Sequence, residues 1–379
     1  MFLEHARKAQ PATIAFLREL VECESPSHDG AAINRFHDLF AARVADIATV
    51  KRVKAGAYGS HLLCRFRLPG GRRRSKRILA LGHADTVWPM GTLRTMPWRE
   101  EKGRLWGPGV LDMKAGLVFF VQAMRALRDL DVPVAAEVVL QINADEEVGS
   151  HSSRALTETN AKSSDAVLVL EPGTGLQGKL KTARKGVGSF RIDVRGVSSH
   201  AGIDIAAGAS AVHELAWQIE KIRRFTNLKR GVTVNVGVIG GGTRTNVVPA
   251  EAFAEIDYRI PRLSDYEPLA AKFAGLTPRD SRCSLTITGE LNRPPFERTP
   301  AVAALFATAK RLAKALGVDL EESATGGGSD GNFTGAIGVP TLDGLGAVGE
   351  GAHAVNESIL VDRIADRVAL LAALVGEVR

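Results

Sequence analysis

Two helical patterns open the chain. Ile14, Leu17, Leu20 and Val21 fall on one face of a 3.6-residue period, and so do Ile33, Phe36, Phe40 and Val44. Ser25-Pro26-Ser27 separates them, because proline disfavours the helical region for the residue before it. Short apolar runs then predict strands at His61–Leu68, Ile78–Gly82, Glu137–Ile142 and Ala166–Leu170, with a helix over about Lys114–Leu130. Strands alternating with helices predict an α/β layer, a mixed but largely parallel sheet sandwiched by helices.

From about Arg184 the pattern changes. Val187–Val194 reads as a strand, Ala206–Phe225 as a helix, Val232–Ile239 and Ala252–Ile260 as strands, Tyr266–Ala274 as a helix and Ser284–Thr288 as a strand. That order is βαββαβ, a ferredoxin-like α+β unit able to form its own two-layer domain. After Arg293-Pro294-Pro295 long helical patterns return at Ala301–Leu316 and Val361–Val378. The expected organisation is one α/β domain in two parts, 1–183 and 295–379, interrupted by a small domain at 184–294. A chain of 379 residues is long enough for two such cores.

Composition narrows the class without choosing within it. Apolar residues are 45% and charged residues 24%, as in ordinary soluble globular proteins. The net charge of +7 favours an anionic partner. Part of the excess is local, in Arg72, Arg73, Arg74, Lys76 and Arg77, and no aromatic residue interleaves these charges. They read as a solvated hairpin loop before a buried strand, and no nucleic-acid partner is expected. Cys23, Cys64 and Cys283 are scattered, which argues against a disulfide framework and a cysteine-based zinc site. MFLEHARKAQ lacks the apolar stretch of a signal peptide, and no apolar run approaches the ~18 residues of a membrane span. A soluble cytoplasmic protein with no membrane partner is the expectation.

Candidate chemistry falls at the ends of the predicted strands or in the loops after them, the edge where open α/β sheets bind ligands. Gly82-His83-Ala84-Asp85 ends one strand, and Asp85 is placed to orient the His83 ring. Gly107-Pro108-Gly109-Val110-Leu111-Asp112 presents an acid just before a helix, where a helix cap is the plain alternative. Asp145-Glu146-Glu147 follows a strand directly. Three adjacent acids in a low-dielectric pocket would raise one another's pKa unless a cation compensates. Glu171 ends another strand, and His353 lies shortly before the last helix. Two histidines and three carboxylates suit two adjacent zinc ions, each with one histidine and one terminal carboxylate, and a single acid bridging both. Such ions sit ~3.5–4 Å apart and acidify a shared water. One of Glu146 and Glu147 can ligate while the other acts as general base.

Together the motifs GHADTV, GPGVLDMKAG, ADEEVGS, LEPG, SSHAG, GGGSDG and GAHAVNE, in that order along nearly the whole chain, resemble one metallopeptidase family. It comprises aminoacylases, succinyl-diaminopimelate desuccinylases, tripeptide aminopeptidases and bacterial glutamate carboxypeptidases, the folate-cleaving ones being most alike. The resemblance implies that Asp112 bridges two zinc ions, replaceable by cobalt or manganese. His83 and Glu171 would complete one site, His353 and Glu147 the other, with Glu146 as general base and Asp85 supporting His83. It implies a cis peptide bond after Asp112. It makes the inserted domain a lid that pairs with its twin in a homodimer, with His200 entering the partner subunit's site to stabilise an oxyanion. Asn246 would bind substrate, Arg259 would grip a free carboxylate with its planar fork, and Arg293 falls near a further basic position. The implied reaction releases a C-terminal amino acid, glutamate, from an N-acyl or peptidyl conjugate. Ala115 stands where glycine is frequent, and Met113 stands where the carboxypeptidases often carry an acid, a position that varies among activities; an aminoacylase or dipeptidase is the nearest alternative.

Rivals from other classes fare worse. Gly326-Gly327-Gly328-Ser329-Asp330-Gly331 fits G-x-G-x-x-G by letter. Ser323-Ala324-Thr325 before it does not read as a strand, and Gly335 and Gly338 interrupt the segment after it, against a dinucleotide site. Gly327 and Gly328 read better as part of a loop lining the site and offering backbone N–H groups to substrate. No G-x-S-x-G elbow supports a serine hydrolase. A non-catalytic relative that binds amino-acid derivatives would have lost a ligand or the base, and none is missing here.

Overall fold

The computed structural model describes residues 1–70 and 76–377. Arg72, Arg73 and Arg74 of the basic run lie outside the described residues. The chain divides into two compact units, one of Met1–Ala183, Arg298–Thr325 and Ser329–Arg379, the other of Arg184–Glu297 and Gly326–Gly328.

The first unit begins with helices α1 (Phe2–Glu22) and α2 (Gly30–Val44), strands β1 (Ala48–Lys54), β2 (Ser60–Phe66), β3 (Lys76–His83), β4 (Arg99–Glu101) and β5 (Arg104–Trp106), and helix α3 (Ala115–Asp129). It continues through β6 (Ala136–Asn143), α4 (Arg154–Lys162), β7 (Ala166–Val169) and β8 (Leu180–Arg184). The second unit supplies β9 (Gly186–Arg195), α5 (Ala211–Ile222), β10 (Thr233–Gly241), β11 (Glu251–Ile260), α6 (Tyr266–Ala274) and β12 (Ser284–Arg293). Back in the first unit come α7 (Pro300–Ala315), β13 (Glu322–Thr325), α8 (Gly331–Ala336), β14 (Thr341–Leu342), β15 (Gly349–Glu350), β16 (Ser358–Leu360) and α9 (Ile364–Glu377).

Six strands form the main sheet in the order β1-β2-β6-β3-β7-β14. Pairings β6–β3, β3–β7 and β7–β14 are parallel, while β1–β2 and β2–β6 are antiparallel. The centre is therefore the predicted parallel layer, with an antiparallel edge. Strand β3 explains why it is buried on both faces. Its side chains alternate, Ile78 and Ala80 entering the core that holds α1, α3 and α9, Leu79 and Leu81 entering a smaller cluster with Val139, Val167, Val169 and Ala161.

The second unit pairs its four strands in the order β10-β11-β9-β12, all antiparallel. With α5 and α6 this is the ferredoxin-like arrangement. Phe190, Ile192, Val194, Ile256 and Tyr258 meet Leu215, Ile222, Leu269 and Phe273 from the helices. The rings of Phe190 and Phe273 stack with centroids 3.9 Å apart.

Some predicted elements differ. The expected helix Ala206–Phe225 is a short turn at Ile205–Ala207 and a separate helix capped by Ser210, whose hydroxyl accepts the N–H of His213. Strand β12 runs to Arg293, further than its apolar residues suggest. Strand β1 and helix α4 were not expected, since one half-exposed strand and one short polar helix carry little periodic signal. No helix among the described residues is long and apolar enough to cross a membrane.

Candidate metal centre

Three parallel strands and one small sheet deliver the acids and histidines. His83 is the last residue of β3, Asp145-Glu146-Glu147 follows β6, and Glu171 follows β7. Asp112 and His353 come from elsewhere. Asp112 lies in the turn after β5, and His353 lies between β15 and β16, strands of a second sheet ordered β15-β16-β5-β4. The main-sheet edge thus carries three of the ligand candidates, and a separate hairpin layer carries the other two.

Close packing sets the approach of these elements. A methyl group on Gly116, at the start of α3, would lie 2.0 Å from the carbonyl oxygen of Leu170. One on Gly82 would lie 2.5 Å from Leu117. Only glycine lets the helix carrying the Asp112 turn come this near the strand ends of His83 and Glu171. The peptide bond between Asp112 and Met113 is cis. His353 has a left-handed backbone, φ 62°, uncommon outside glycine.

Asp112 stands between the two histidines. Its Oδ1 is 3.3 Å from His83 Nε2 and its Oδ2 is 3.3 Å from His353 Nε2. Glu171 Oε1 lies 3.7 Å from His83 Nε2, and Glu147 Oε2 lies 3.1 Å from His353 Nε2. Candidate ligand atoms of His83, Asp112 and Glu147 all lie within 4.8 Å of one another, as do those of His83, Glu146 and Glu171.

Asp85 organises the near side. Its backbone carbonyl accepts His83 Nδ1–H at 2.8 Å, which leaves the Nε2 lone pair for a ligand. Its carboxylate accepts the N–H of Glu146 and of Glu147, each at 3.1 Å, and the hydroxyl of Ser27 at 2.8 Å. One buried side chain therefore fixes both glutamates.

Electrostatics follow from the crowding. Burial would lower the His83 pKa, but hydrogen bonds from the ring to Asp112 and Asp85 outweigh it and hold it well above its ordinary value. Asp112 and Glu147 raise His353 to about 10. Burial would raise Asp112, yet the two histidines hold it well below the usual carboxylate range. Burial pushes Glu147 up.

The donor set fits a metal. It offers imidazole nitrogen and carboxylate oxygen, the ligands of hydrolytic zinc sites. Glu147 Oε1 is buried with no hydrogen-bond partner, a costly state for an anion oxygen unless a cation faces it.

Several contributing residues escaped the sequence reading. Glu357, fully buried, accepts the N–H groups of Gly109, Leu111 and Asp112 and the indole N–H of Trp88. Asp330 accepts from Asn143 and Ser150, beside the Glu146–Glu147 turn. Lys114 is buried and donates to the carbonyl of Cys23 at 3.0 Å. Glu357 and Lys114 stand a few positions from a ligand candidate and Asp330 stands in the GGGSDG motif, and their sequence signal goes no further.

The remaining candidates belong to the second unit. His200 is exposed, and its Nδ1 accepts the N–H of Gly202 at 3.2 Å. Asn246, also exposed, is tied to that loop through its backbone carbonyl, which accepts the N–H of Ala201 at 2.9 Å. Arg259 pairs with Asp257 at 2.9 Å. Arg293 is buried, and a methyl group on Gly328 would meet its Cδ at 2.8 Å. The carbonyls of Gly327 and Gly328 accept from Arg184, a partner the sequence did not suggest. The glycine run follows strand β13 after all, but among the described residues β13 pairs only with β8 and the helix after it has six residues, so the dinucleotide context is not met.

Relatives match along most of the chain. Carboxypeptidase G2 of Pseudomonas sp. (strain RS-16) is 27% identical over 386 residues, covering 99% of this chain and 91% of that protein. Succinyl-diaminopimelate desuccinylase of Paracidovorax citrulli (strain AAC00-1) is 26% identical, covering 86% and 87%. The crystal structure of aminopeptidase PepT from Bacillus cereus ATCC 10987 shares the fold, with a TM-score of 0.82 over 97% of this chain and 98% of that one at 24% identity. Residues 79–377 match the model of peptidase family M20/M25/M40, so the protein belongs to that family and is a metallo-exopeptidase, a hydrolase of peptide or amide bonds.

Proposed function

We propose that the protein is a dinuclear zinc hydrolase that releases a C-terminal amino acid, glutamate in particular, from an N-acyl or peptidyl conjugate. The observation that carries this reading is Asp112, whose two carboxylate oxygens each face a different histidine at 3.3 Å. His83 and Glu171 would hold one metal, His353 and Glu147 the other, with Asp112 shared. When bound, the metal supplies the positive charge that acidifies a water and polarises the scissile carbonyl.

The chain's own groups do the rest. Glu146 takes a proton from the attacking water and delivers it to the leaving nitrogen. Asp85 keeps His83 in the tautomer that presents Nε2 and holds the backbone of both glutamates. Arg259 grips the free carboxylate of the departing amino acid, with Asn246, Arg293 and the Gly327–Gly328 turn as further substrate contacts. His200 acts in the neighbouring subunit of a homodimer as an oxyanion donor. The glutamate preference rests on the motif likeness and the excess of basic residues.

The test is a hydrolysis screen of N-acyl amino acids, folyl-type glutamates and dipeptides with zinc added, repeated after chelation. Turnover that chelator abolishes and zinc restores, strongest on glutamate, is expected. Full activity in a metal-free preparation would sink the metal reading. A preference for neutral residues at the C-terminal side would overturn the glutamate assignment.

A further inference from the structure

After the Glu146–Glu147 turn the chain doubles back, and the loop is closed by three side chains that no proposed step uses. Asp145, fully buried, stands at its start. Its backbone carbonyl accepts the N–H of Ser150 at 2.8 Å. Its Oδ2 accepts the N–H of Ser152 at 2.6 Å and the Ser152 hydroxyl at 2.8 Å. Between these anchors Gly149 and Ser150 have left-handed backbones, φ 100° and 58°. Glycine adopts that region freely and serine does not, so the bonds to Asp145 hold the return against local strain.

His61 ties both ends of this loop to the main sheet. It lies on β2, where the next residue, Leu62, pairs with Ile142 of β6. The buried ring takes the N–H of Ala144 on Nδ1 at 3.2 Å, and its Nε2 lies 3.2 Å from the Ser152 hydroxyl oxygen. A backbone N–H only donates, so Nδ1 carries no proton and the neutral ring keeps its proton on Nε2. Burial favours the same neutral form. Nε2–H then donates to Ser152 Oγ, whose own proton goes to Asp145. One arrangement of protons satisfies all three groups, which gives the chain His61–Ser152–Asp145 a fixed direction.

None of the three is a metal-ligand candidate, yet Asp145 is joined to Glu146 by one peptide bond. On the other side Asp85 grips the N–H groups of Glu146 and Glu147. The turn is thus held twice, by Asp85 on the glutamates themselves and by Asp145 on the chain that returns from them.

We propose that Asp145 is a positioning residue for the hydrolysis, aligned by Ser152 and through it by His61, and that its task is to place the Glu146 carboxylate for proton transfer. The proposal rests on the reading of Glu146 as general base. Proton transfer requires hydrogen-bond reach, and a displacement of about 1 Å can cost roughly a hundredfold in rate.

Ser152→Ala tests it with the least disturbance, because the Ser152 N–H stays on Asp145. In the full chain with zinc added, kcat is expected to fall by about tenfold to a hundredfold, with KM and zinc content unchanged. Ser152→Thr, which keeps the hydroxyl, is expected to recover most of the loss. A merely structural role would carry the same loss into any background. In Glu146→Gln there is no base to place, so adding Ser152→Ala is expected to lower the residual kcat by less than about twofold. Equal losses in the two backgrounds, a loss matched by lost zinc, or an unchanged kcat overturn the proposal. A second arm needs no turnover. Amide hydrogen exchange of the Glu146 and Glu147 N–H groups is expected to be about tenfold or more faster in Ser152→Ala, with the N–H groups of β3 unchanged. If no N-acyl amino acid or peptide is hydrolysed, the general-base reading fails by itself and this arm decides whether the network holds the turn. Exchange that Ser152→Ala leaves unchanged overturns it.

Discussion

Glu357 accepts the backbone N–H of Asp112 through Oε1 at 3.0 Å. The same carboxylate takes the N–H groups of Leu111 and Gly109 and the Trp88 indole, each at 2.8 Å. A single buried anion therefore shapes the turn that aims the shared carboxylate between the two histidines. Glu357→Ala would strand four donors, and the two in fully buried bonds, the N–H groups of Gly109 and Leu111, would each cost about 1–3 kcal/mol if left unpaired. The expected result is a protein destabilised by several kcal/mol in urea titration. Glu357→Gln keeps the shape but turns a donor toward these donors, and a loss of about 10–100-fold in zinc affinity is expected. Competition with a chelating dye measures it. Wild-type zinc affinity in Glu357→Gln would show that the turn needs no such anchor.

The assignment of Glu146 and Glu147 to different tasks predicts opposite behaviour for the two glutamines. Glu146→Gln is expected to keep both zinc ions and lose turnover by about 10²–10⁴-fold, the usual worth of a general base. Glu147→Gln is expected to lose metal first, since Glu147 is the acid facing His353. Zinc content by atomic absorption, read with kcat on the same preparations, separates the cases. A Glu146→Gln protein with half the metal would exchange the roles.

Much of this was legible in local sequence. His83, Glu146, Glu147 and Glu171 end or follow apolar runs whose strand character is readable locally, and whose alternation with helices points to a largely parallel sheet. Asp112 and His353 also stood out, but their route did not, because two-residue and three-residue strands such as β15, β5 and β16 leave no periodic trace. Glu357 stands in the same motif as His353, yet its partners are some 246 positions away from it, at Leu111, and nothing local announces that pairing. Strand β1 was missed because only one of its two faces is covered, so four of its seven residues are exposed and polar positions dominate it. Long-range register and polar burial are properties of the packed chain, and these are what the sequence withheld.

His37 sets an acid limit on stability. It is buried in α2 beside Phe36, and burial lowers its pKa to about 3. In the unfolded chain the ring titrates near ~6.5. The unfolded state therefore takes up the proton first as pH falls. The contribution is fully present above about pH 6.5 and is lost between there and about pH 3, at about 1.4 kcal/mol per pH unit. By pH 5 the loss is about 2 kcal/mol. His37→Leu removes the titrating group from the same apolar site. Urea unfolding of metal-free protein at pH 8 and pH 5 should show a smaller drop in His37→Leu than in wild type. Equal drops would place the acid sensitivity elsewhere.

Metal binding should be coupled to proton release, with a sign fixed by His353. In the metal-free protein the hydrogen bonds its ring makes to Asp112 and Glu147 raise its pKa to about 10. A raised folded pKa stabilises the metal-free fold below the unfolded value near ~6.5, and that contribution fades as pH rises through about 10. The ring is half-exposed, so solvent screens the size of the effect and leaves its direction. A metal needs the neutral imidazole, so zinc must displace this proton at neutral pH. Apparent zinc affinity should then rise with pH between about 6.5 and 10, by up to about tenfold per unit for each proton displaced. His83, also held above its ordinary value, adds a second proton in the same direction. Calorimetry at pH 7 in buffers of different ionisation enthalpy counts the protons released. Between one and two per molecule is expected in wild type, and fewer in His353→Ala. Zinc binding at pH 7 with no proton released would mean that neither histidine is a ligand, and the centre would have to be rebuilt from the carboxylates alone.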